Sequence, residues 1–481
     1  RRGAYHLAAA EIHRNELRDR AGALEHYEAA LDELFRAPPS QATRARGGDA
    51  FRAVVEIATA DANYKYLEQA YRRMIKRVGK DDAALALLWH GLCDIYREHL
   101  AHPQSAIEAY EVAHSLDAKK SPQRGRILAE LYAIAGTQQP THANMRAAKL
   151  VEDDPSNPDA YRAIGRTAFE AGRVDEAWCA ARALVFLKQA NPNEQALYKQ
   201  YQAQETRKAT GIIDDDTWAL VRHPDELQTL CSIFALIWEA IAAVRGGPAK
   251  SFDVKPKERM PVEHDTRVVA KIFRHAARLV NVPLPDVYVQ PRRPGRLLLA
   301  NVLEKDRVVP TIIVGRDLMT GYRDTELAAS VGAVIALLRP QYYLKLALSS
   351  ADELGVALAA AAHAVGISNT RPELEPQITA IVPEIQARLT RATSDALRAL
   401  LTRLAAPPDL DKWRHAVDAA AQRTGLLVAG ELAAACRMLA SEQATQTGSR
   451  TTQRVADLVA YSVSPNYFAI RKHLGIAITP D

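Results

Sequence analysis

Apolar positions recur at helical spacing along most of this chain and alternate in only one short region. A long apolar run lies in 324–340, Asp-Thr-Glu-Leu-Ala-Ala-Ser-Val-Gly-Ala-Val-Ile-Ala-Leu-Leu-Arg-Pro, with no charge from Leu327 to Leu338. Asp324 is expected to cap the front, and the helix to run to Arg339, because the residue before a proline is pushed out of the α region. A helix apolar on every face belongs inside a domain, and this run is shorter than the ~20 residues a membrane span needs. Upstream, 287–290, 297–300 and 310–319 read as two or three short strands followed by a short helix. Before them, Val268, Val269, Ile272, Phe273, Ala276 and Leu279 make the apolar side of an amphipathic helix over 268–280, with His275 beside the stripe. The stretch 218–244 is mostly helical with a break at Pro224; its apolar part, 230–244, carries Glu239 and reads as a second buried helix. Beyond Pro340, 342–362 and 376–404 read as long Ala/Leu helices, then 413–421 and 430–438. A polar stretch follows over 441–450, and the last helix is expected to end near 462–467, by the turn at Ser464-Pro465.

The first ~200 residues carry a repeating pattern. Ala23/Tyr27/Ala30 recurs as Ala106/Tyr110/Ala113, and more loosely as Ala143/Ala147/Leu150 and Ala177/Ala181/Leu184. A small residue lets one helix approach the next, and an aromatic four residues on fills the gap against the neighbouring pair. Trp89, Leu92 and Tyr96 precede one copy, Tyr161, Ile164 and Gly165 another, and Asp154-Pro155-x-Asn157-Pro158 breaks one pair from the next. The stretch 36–48, rich in Pro, Ala and Gly, reads as a loop insertion. Together these features resemble tetratricopeptide repeats over residues 4–204. Such arrays present a concave face lined by the first helix of each pair. With Trp89 as register mark, His90, Asp94 and Arg97 fall on one face, as do Arg162, Arg166 and Glu170 further on. Arginine there would clamp a peptide carboxylate in bidentate fashion. The competing reading is a solvated helix surface with i,i+4 charge pairs such as Arg166 with Glu170.

The strand–strand–helix order that ends on Glu326-Leu-Ala-Ala329 resembles the catalytic domain of HtpX-type zinc metallopeptidases, of the gluzincin class, over 262–439. In that family the helix continues into His-Glu-x-x-His, whose imidazoles sit at i and i+4 on one face and reach a single ion. Laid on the family pattern, the first histidine falls on Ala333, the general-base glutamate on Val334 and the second histidine on Leu337. The stretch 418–426, Asp-Ala-Ala-Ala-Gln-Arg-Thr-Gly-Leu, resembles the family's third-ligand helix, with Asp418 in the ligand position. The resemblance implies a peptidase-like shape without peptidase chemistry, so no metal and no cofactor is expected.

Composition narrows the picture further. The chain has 481 residues, 48% hydrophobic and 25% charged, with a formal net charge of +5. That balance argues against nucleic acid as a partner. The basic run 291–296 (Pro-Arg-Arg-Pro-Gly-Arg) reads as a hairpin-like loop, without interleaved aromatics for stacking bases. Cys93, Cys179, Cys231 and Cys436 are far apart and read as buried apolar residues in a reducing, cytoplasmic compartment. The chain opens Arg1-Arg2-Gly3 without Met or signal peptide, so it is expected to begin partway into a longer protein. No nucleophile elbow, phosphate loop or dinucleotide fingerprint occurs.

The expectation is a mainly α chain: a tetratricopeptide-like α-solenoid over 1–204, a helical connector over 205–257, and over 258–481 an α+β zincin-like domain with a small sheet around a buried central helix. Its expected function is non-catalytic, a scaffold that docks a protein or peptide partner, with self-association or a larger assembly as a further possibility. The alternative is a metal-dependent hydrolase with a non-standard site near Asp418, drawing on His415 and His363.

Overall fold

In a computed structural model of the chain, residues 2–38, 40–116, 127–128, 131–132, 140–305, 307–319, 321–367, 374–404, 407–441 and 448–479 are described. The chain is mainly helical with one small mixed sheet. It divides into two compact units, Arg1–Val151 with Asn157–Gly172, and Glu152–Ser156 with Arg173–Asp481. This division falls inside the segment 1–204 that the repeat pattern groups together, and it assigns 205–257 to the second unit.

The first unit runs α1 (Arg2–Asn15), α2 (Arg20–Arg36), α3 (Gln41–Ala60), α4 (Tyr64–Val78), α5 (Asp82–Glu98), α6 (Pro103–Leu116), α7 (Pro140–Asp153) and α8 (Pro158–Glu170). From α1 to α6 each helix packs on the next. The links are short because each helix has its own start signal: Asp19, Ser40, Asn63, Asp81 and Asn157 each accept a backbone N–H of the first turn. Ser40 corrects the expected loop over 36–48. Its hydroxyl accepts from the Thr43 N–H while Thr43 Oγ1 accepts from the Ser40 N–H, a reciprocal cap that starts α3 at Gln41. Gly47 lies within that helix, where a Cβ would stand 2.6 Å from the Phe35 ring. It serves close helix approach and not a turn.

The repeat positions share one environment. Ala23, Tyr27 and Ala30 are buried, as are Ala106, Tyr110 and Ala113, and Ala147 and Leu150; the side chain of Ala143 lies outside the described residues. A further copy sits on α4 as Leu67/Tyr71/Met74, at the same i, i+4, i+7 spacing, with Leu67 and Met74 buried. Ala23, Tyr27, Val54, Ala70 and Met74 belong to one continuous core.

The second unit opens with α9 (Val174–Phe186) and α10 (Pro192–Tyr201), then a 3-10 turn at Thr217–Leu220 and α11 (Gln228–Val244). There follow β1 (Arg259–Met260), α12 (Val268–Val280), β2 (Asp286–Gln290), β3 (Leu297–Glu304), β4 (Arg307–Gly315), a 3-10 turn at Arg316–Leu318 and α13 (Asp324–Ala336). The chain ends through α14 (Tyr343–Ala347), α15 (Ala351–Ala364), α16 (Glu375–Arg388), α17 (Arg391–Arg403), α18 (Leu410–Ala429), α19 (Leu432–Ser441), α20 (Gly448–Tyr461) and α21 (Pro465–His473). Each expected long helix beyond Pro340 is in fact two. Ser350 and Thr390 cap new starts at α15 and α17, accepting from the N–H groups of Glu353 and Thr393. The last helix also ends later than expected, at His473, because Ser464 and Pro465 open α21. Most of the polar stretch 441–450 lies outside the described residues.

The sheet has the order β1-β2-β4-β3. β3 and β4 form an antiparallel hairpin in register from Leu297–Val314 to Glu304–Arg307, whereas β2 runs parallel to β4 on its other side. The basic loop 291–296 is therefore not a hairpin. It crosses from one side of β4 to the other, and two of its arginines are held by the fold: Arg293 donates to Phe252 O, and Arg296 to the hydroxyls of Tyr322 and Ser441.

α13 is the buried helix expected from its uncharged run, packed on α12, α18 and α19. Two details differ. Glu326 closes its front by accepting the Arg323 N–H, and Asp324 sits in the first turn, where a carboxylate favours the helix dipole. Its end comes at Ala336, with Leu337 as C-cap. The earlier stop follows from Arg339, which turns inward to donate to Val280 O and Asp215 with its guanidinium 4.3 Å over the Trp218 ring.

Candidate functional site

α13 and α18 meet almost backbone to backbone. A Cβ on Gly332 would stand 2.8 Å from Val428 Cβ, and one on Gly425 would stand 2.5 Å from Ala329 O. Beside this crossing lies a cavity of about 20 Å³ lined by Ser330, Ala333, Gln422, Gly425 and Met438 among others. Ser330 is buried there, and its hydroxyl has no partner among the described residues. The space suits one water molecule.

Further along the same face of α18 opens a cleft of about 1130 Å³. Asp411, His415, Asp418 and Gln422 line it at i, i+4, i+7 and i+11, one face of the helix. The opposite walls come from the turn carrying His223 and Asp225, from Lys345, from the start of α15 at Ser349–Asp352, and from Gln453, Arg454 and Asp457 of α20. Gln422 and Leu458 line both spaces. Within the cleft Asp418 pairs with Lys345, and Asp225 with Lys412 at 3.1 Å. Burial, and then the charge of Arg423, hold the His223 imidazole below its ordinary pKa.

Ala333 faces the small cavity, Val334 is half-buried, and Leu337 is buried at the helix end. Asp418 faces the large cleft and is already paired with a lysine. Methyl and isobutyl groups offer no lone pair, so these residues do not fit a zinc ion. The alternative set is brought together only in part. His415 and Asp418 share the cleft wall, while His363 on α15 is not part of it. Among the described residues, no group of three His, Cys, Asp or Glu is placed to hold a metal ion.

The candidate groove residues form two local groups on α5 and α8. The His90 ring meets Tyr110 edge-on, 4.8 Å between centroids, at the contact of α5 with α6. Arg97 pairs with Asp94 at 3.4 Å and with Glu98 at 2.5 Å. Burial raises the Asp94 pKa, with Arg97 acting against it. Arg162 pairs with Asp159 at 3.0 Å. Arg166 and Glu170 are exposed and form no ion pair with each other, so the i,i+4 pair open to them is not made.

Sequence reasoning passed over four arginines of the second unit, Arg182, Arg339, Arg423 and Arg471, all at or below 9% exposure. Arg182 lies 3.9 Å from Glu205, Arg339 pairs with Asp215, and Arg471 clamps Asp175 through Nε and Nη2. Among the described residues, Arg423 has no such carboxylate. Nothing in the local pattern announces them, since each is fixed by groups distant in sequence.

All four cysteines are free and buried, as expected from their apolar surroundings. Among the described residues, no helix is long and apolar enough to cross a membrane. Compared with protein-family models and with curated proteins, the sequence matches none.

Proposed function

We propose that this chain is a non-catalytic scaffold: a tetratricopeptide-like array that docks a polypeptide, joined to a degenerate peptidase-like unit that serves as a platform. The observation that carries the reading is the chemistry at Ala333, Val334 and Leu337. Where the resembled peptidase has two nitrogen donors and a general base, this chain has hydrocarbon, and the neighbouring helices close on it through Gly332 and Gly425. The burial of Ala23/Tyr27/Ala30 and Ala106/Tyr110/Ala113, and of Leu67 and Met74 about the half-buried Tyr71, supports the array. The exposed Arg166 and Glu170 are the side chains most available to a partner.

Two measurements test this reading. Purified full chain is expected to carry well under one equivalent of zinc. Near-stoichiometric zinc that is lost in His415→Ala or Asp418→Asn would replace the scaffold with the hydrolase near Asp418. Crosslinked partner capture is expected to fall in an Arg97→Ala/Arg166→Ala/Glu170→Ala chain, and unchanged capture would remove the groove from the proposal.

A further inference from the structure

The second unit neutralises its buried arginines in a consistent way. Arg182, Arg339 and Arg471 each stack on an aromatic ring and each have a carboxylate within 4 Å. Arg423 keeps the first half of this arrangement and lacks the second. Its guanidinium lies 4.4 Å over the Tyr461 ring, and Nη1 donates to Val221 O and Arg222 O. Its Nη2 and Nε have no acceptor among the described residues, and no carboxylate stands within 4 Å. Asp457 and Glu152 act on it only from farther off. A buried cation without a counter-ion is costly, and this one is 9% exposed at the wall of the large cleft. Three of the four arginines take their carboxylate from the chain itself, the exposed Asp215 included; the fourth lines a space where a ligand would bring one.

The surroundings specify the ligand. Asp418 and Asp225 are already held by Lys345 and Lys412, and Asp457, whose charge reaches Arg423, lines the same cleft, so the charge left to match at Arg423 suits a single carboxylate better than a dianion such as a phosphate monoester. The lining face of α18 from Asp411 to Gln422 rises ~16 Å at ~1.5 Å per residue, about the length of five extended residues. The volume exceeds the ~300–1,000 Å³ typical of small-molecule pockets. At the far end, the exposed Asp352 and Asp411 suit basic side chains.

We propose that this cleft receives the C-terminal end of a polypeptide, with the terminal carboxylate on Nη2 and Nε of Arg423 and basic residues upstream facing Asp352 and Asp411. The proposal rests on the platform reading and gives that platform a ligand class. It is tested with the full chain on an array of N-acetylated five-residue peptides carrying Lys or Arg in the first two positions. Each peptide is present as free acid, as carboxamide, and as carboxamide with a phosphoserine. Free acids are expected to bind at least tenfold tighter than their carboxamides, and to lose that advantage in Arg423→Met. Ala419→Trp, which places a large ring in the cleft from a half-buried position, is expected to abolish binding while leaving Tm within a few degrees. It decides the matter should Arg423→Met fail to fold. Equal binding of acid and amide, preference for the phosphoserine amide, or full binding by a folded Arg423→Met chain overturns the proposal and leaves the platform reading standing. Absence of any peptide binding also overturns it, and partner capture by the full chain then decides the platform separately.

Discussion

The two units hold themselves together by different chemistry. In the first, helices in sequence order lean on one another through small residues and a tyrosine knob, and the charged groups pair near the surface, as Arg73 and Arg77 do with Glu28. In the second, the ties are long in sequence and buried: Arg471 to Asp175, Arg423 to the Val221 and Arg222 carbonyls, Trp218 through the Tyr342 hydroxyl to Glu226. Local packing of this kind tolerates variation in spacing, since each pair needs only its neighbour. A buried charge tolerates none, because its partner must arrive from another part of the chain at hydrogen-bond distance. The difference teaches where each unit is vulnerable: the first to loss of volume, the second to loss of a counter-charge.

The largest effect is expected at Asp175. Its carboxylate holds the fully buried Arg471 at 2.7 Å and also accepts the Ile478 N–H, so it fastens α21 and the segment after it to α9. Asp175→Asn leaves the guanidinium without its charge partner and should cost about 3–5 kcal/mol in urea denaturation. A double Asp175→Leu/Arg471→Met chain should lose less than the Asp175→Asn chain. If the double chain loses as much as the single or more, the buried charge is not what binds these helices. In the first unit the comparable change is Tyr27→Ala, which deletes a buried ring at the centre of α1, α2 and α3 and should cost about 3 kcal/mol by volume alone. Tyr27→Phe keeps the ring and loses the 2.5 Å bond to Glu11 and the contact with Arg14, so it should cost about 1 kcal/mol.

A smaller loss is expected at the helix crossing. In Gly425→Ala the new methyl would press on the Ala329 carbonyl at 2.5 Å. Overpacking costs about 1–3 kcal/mol, and alanine returns ~1 kcal/mol as the better helix former, so the net destabilisation should be up to about 2 kcal/mol. Gly355→Ala, in a helix with ordinary space around it, should instead be neutral or stabilising. Equal melting temperatures for the two variants would mean that α13 and α18 do not touch there as described.

Much of the scaffold was legible in the residues, and the misses have physical causes. The run Leu327–Leu338 marked the core helix, and 268–280 gave its helix to the residue. The stretch 36–48 was misread because Pro, Ala and Gly suggest a loop, although Ser40 and Thr43 carried the capping signal. Leu67/Tyr71/Met74 was missed because every copy of the pattern begins on alanine and this one begins on leucine. Strand β1, two residues long, leaves no periodicity to detect. The cleft is the instructive case. Asp418 stood out as a shortened ligand, yet Arg423, five residues on in the same stretch, drew no attention. Its importance comes from being buried without a carboxylate, and both facts depend on residues some 200 positions away.

The smallest effect tests the link between that arginine and its neighbour across the cleft. Burial first, and the Arg423 charge second, keep the His223 imidazole below its ordinary value of about 6.5. The unfolded chain therefore binds the proton more readily than the folded one. The neutral histidine's contribution is complete above about pH 6.5 and is lost as pH falls through the lower folded value. His223→Gln should flatten the stability curve across that window and leave it unchanged above pH 7. In Arg423→Met, the imidazole resonances followed by NMR should titrate at higher pH than in the parent, yet still below the free imidazole, because burial remains. A titration that does not move would mean that the guanidinium does not face this histidine, and the cleft would lose the cation assigned to its inner wall.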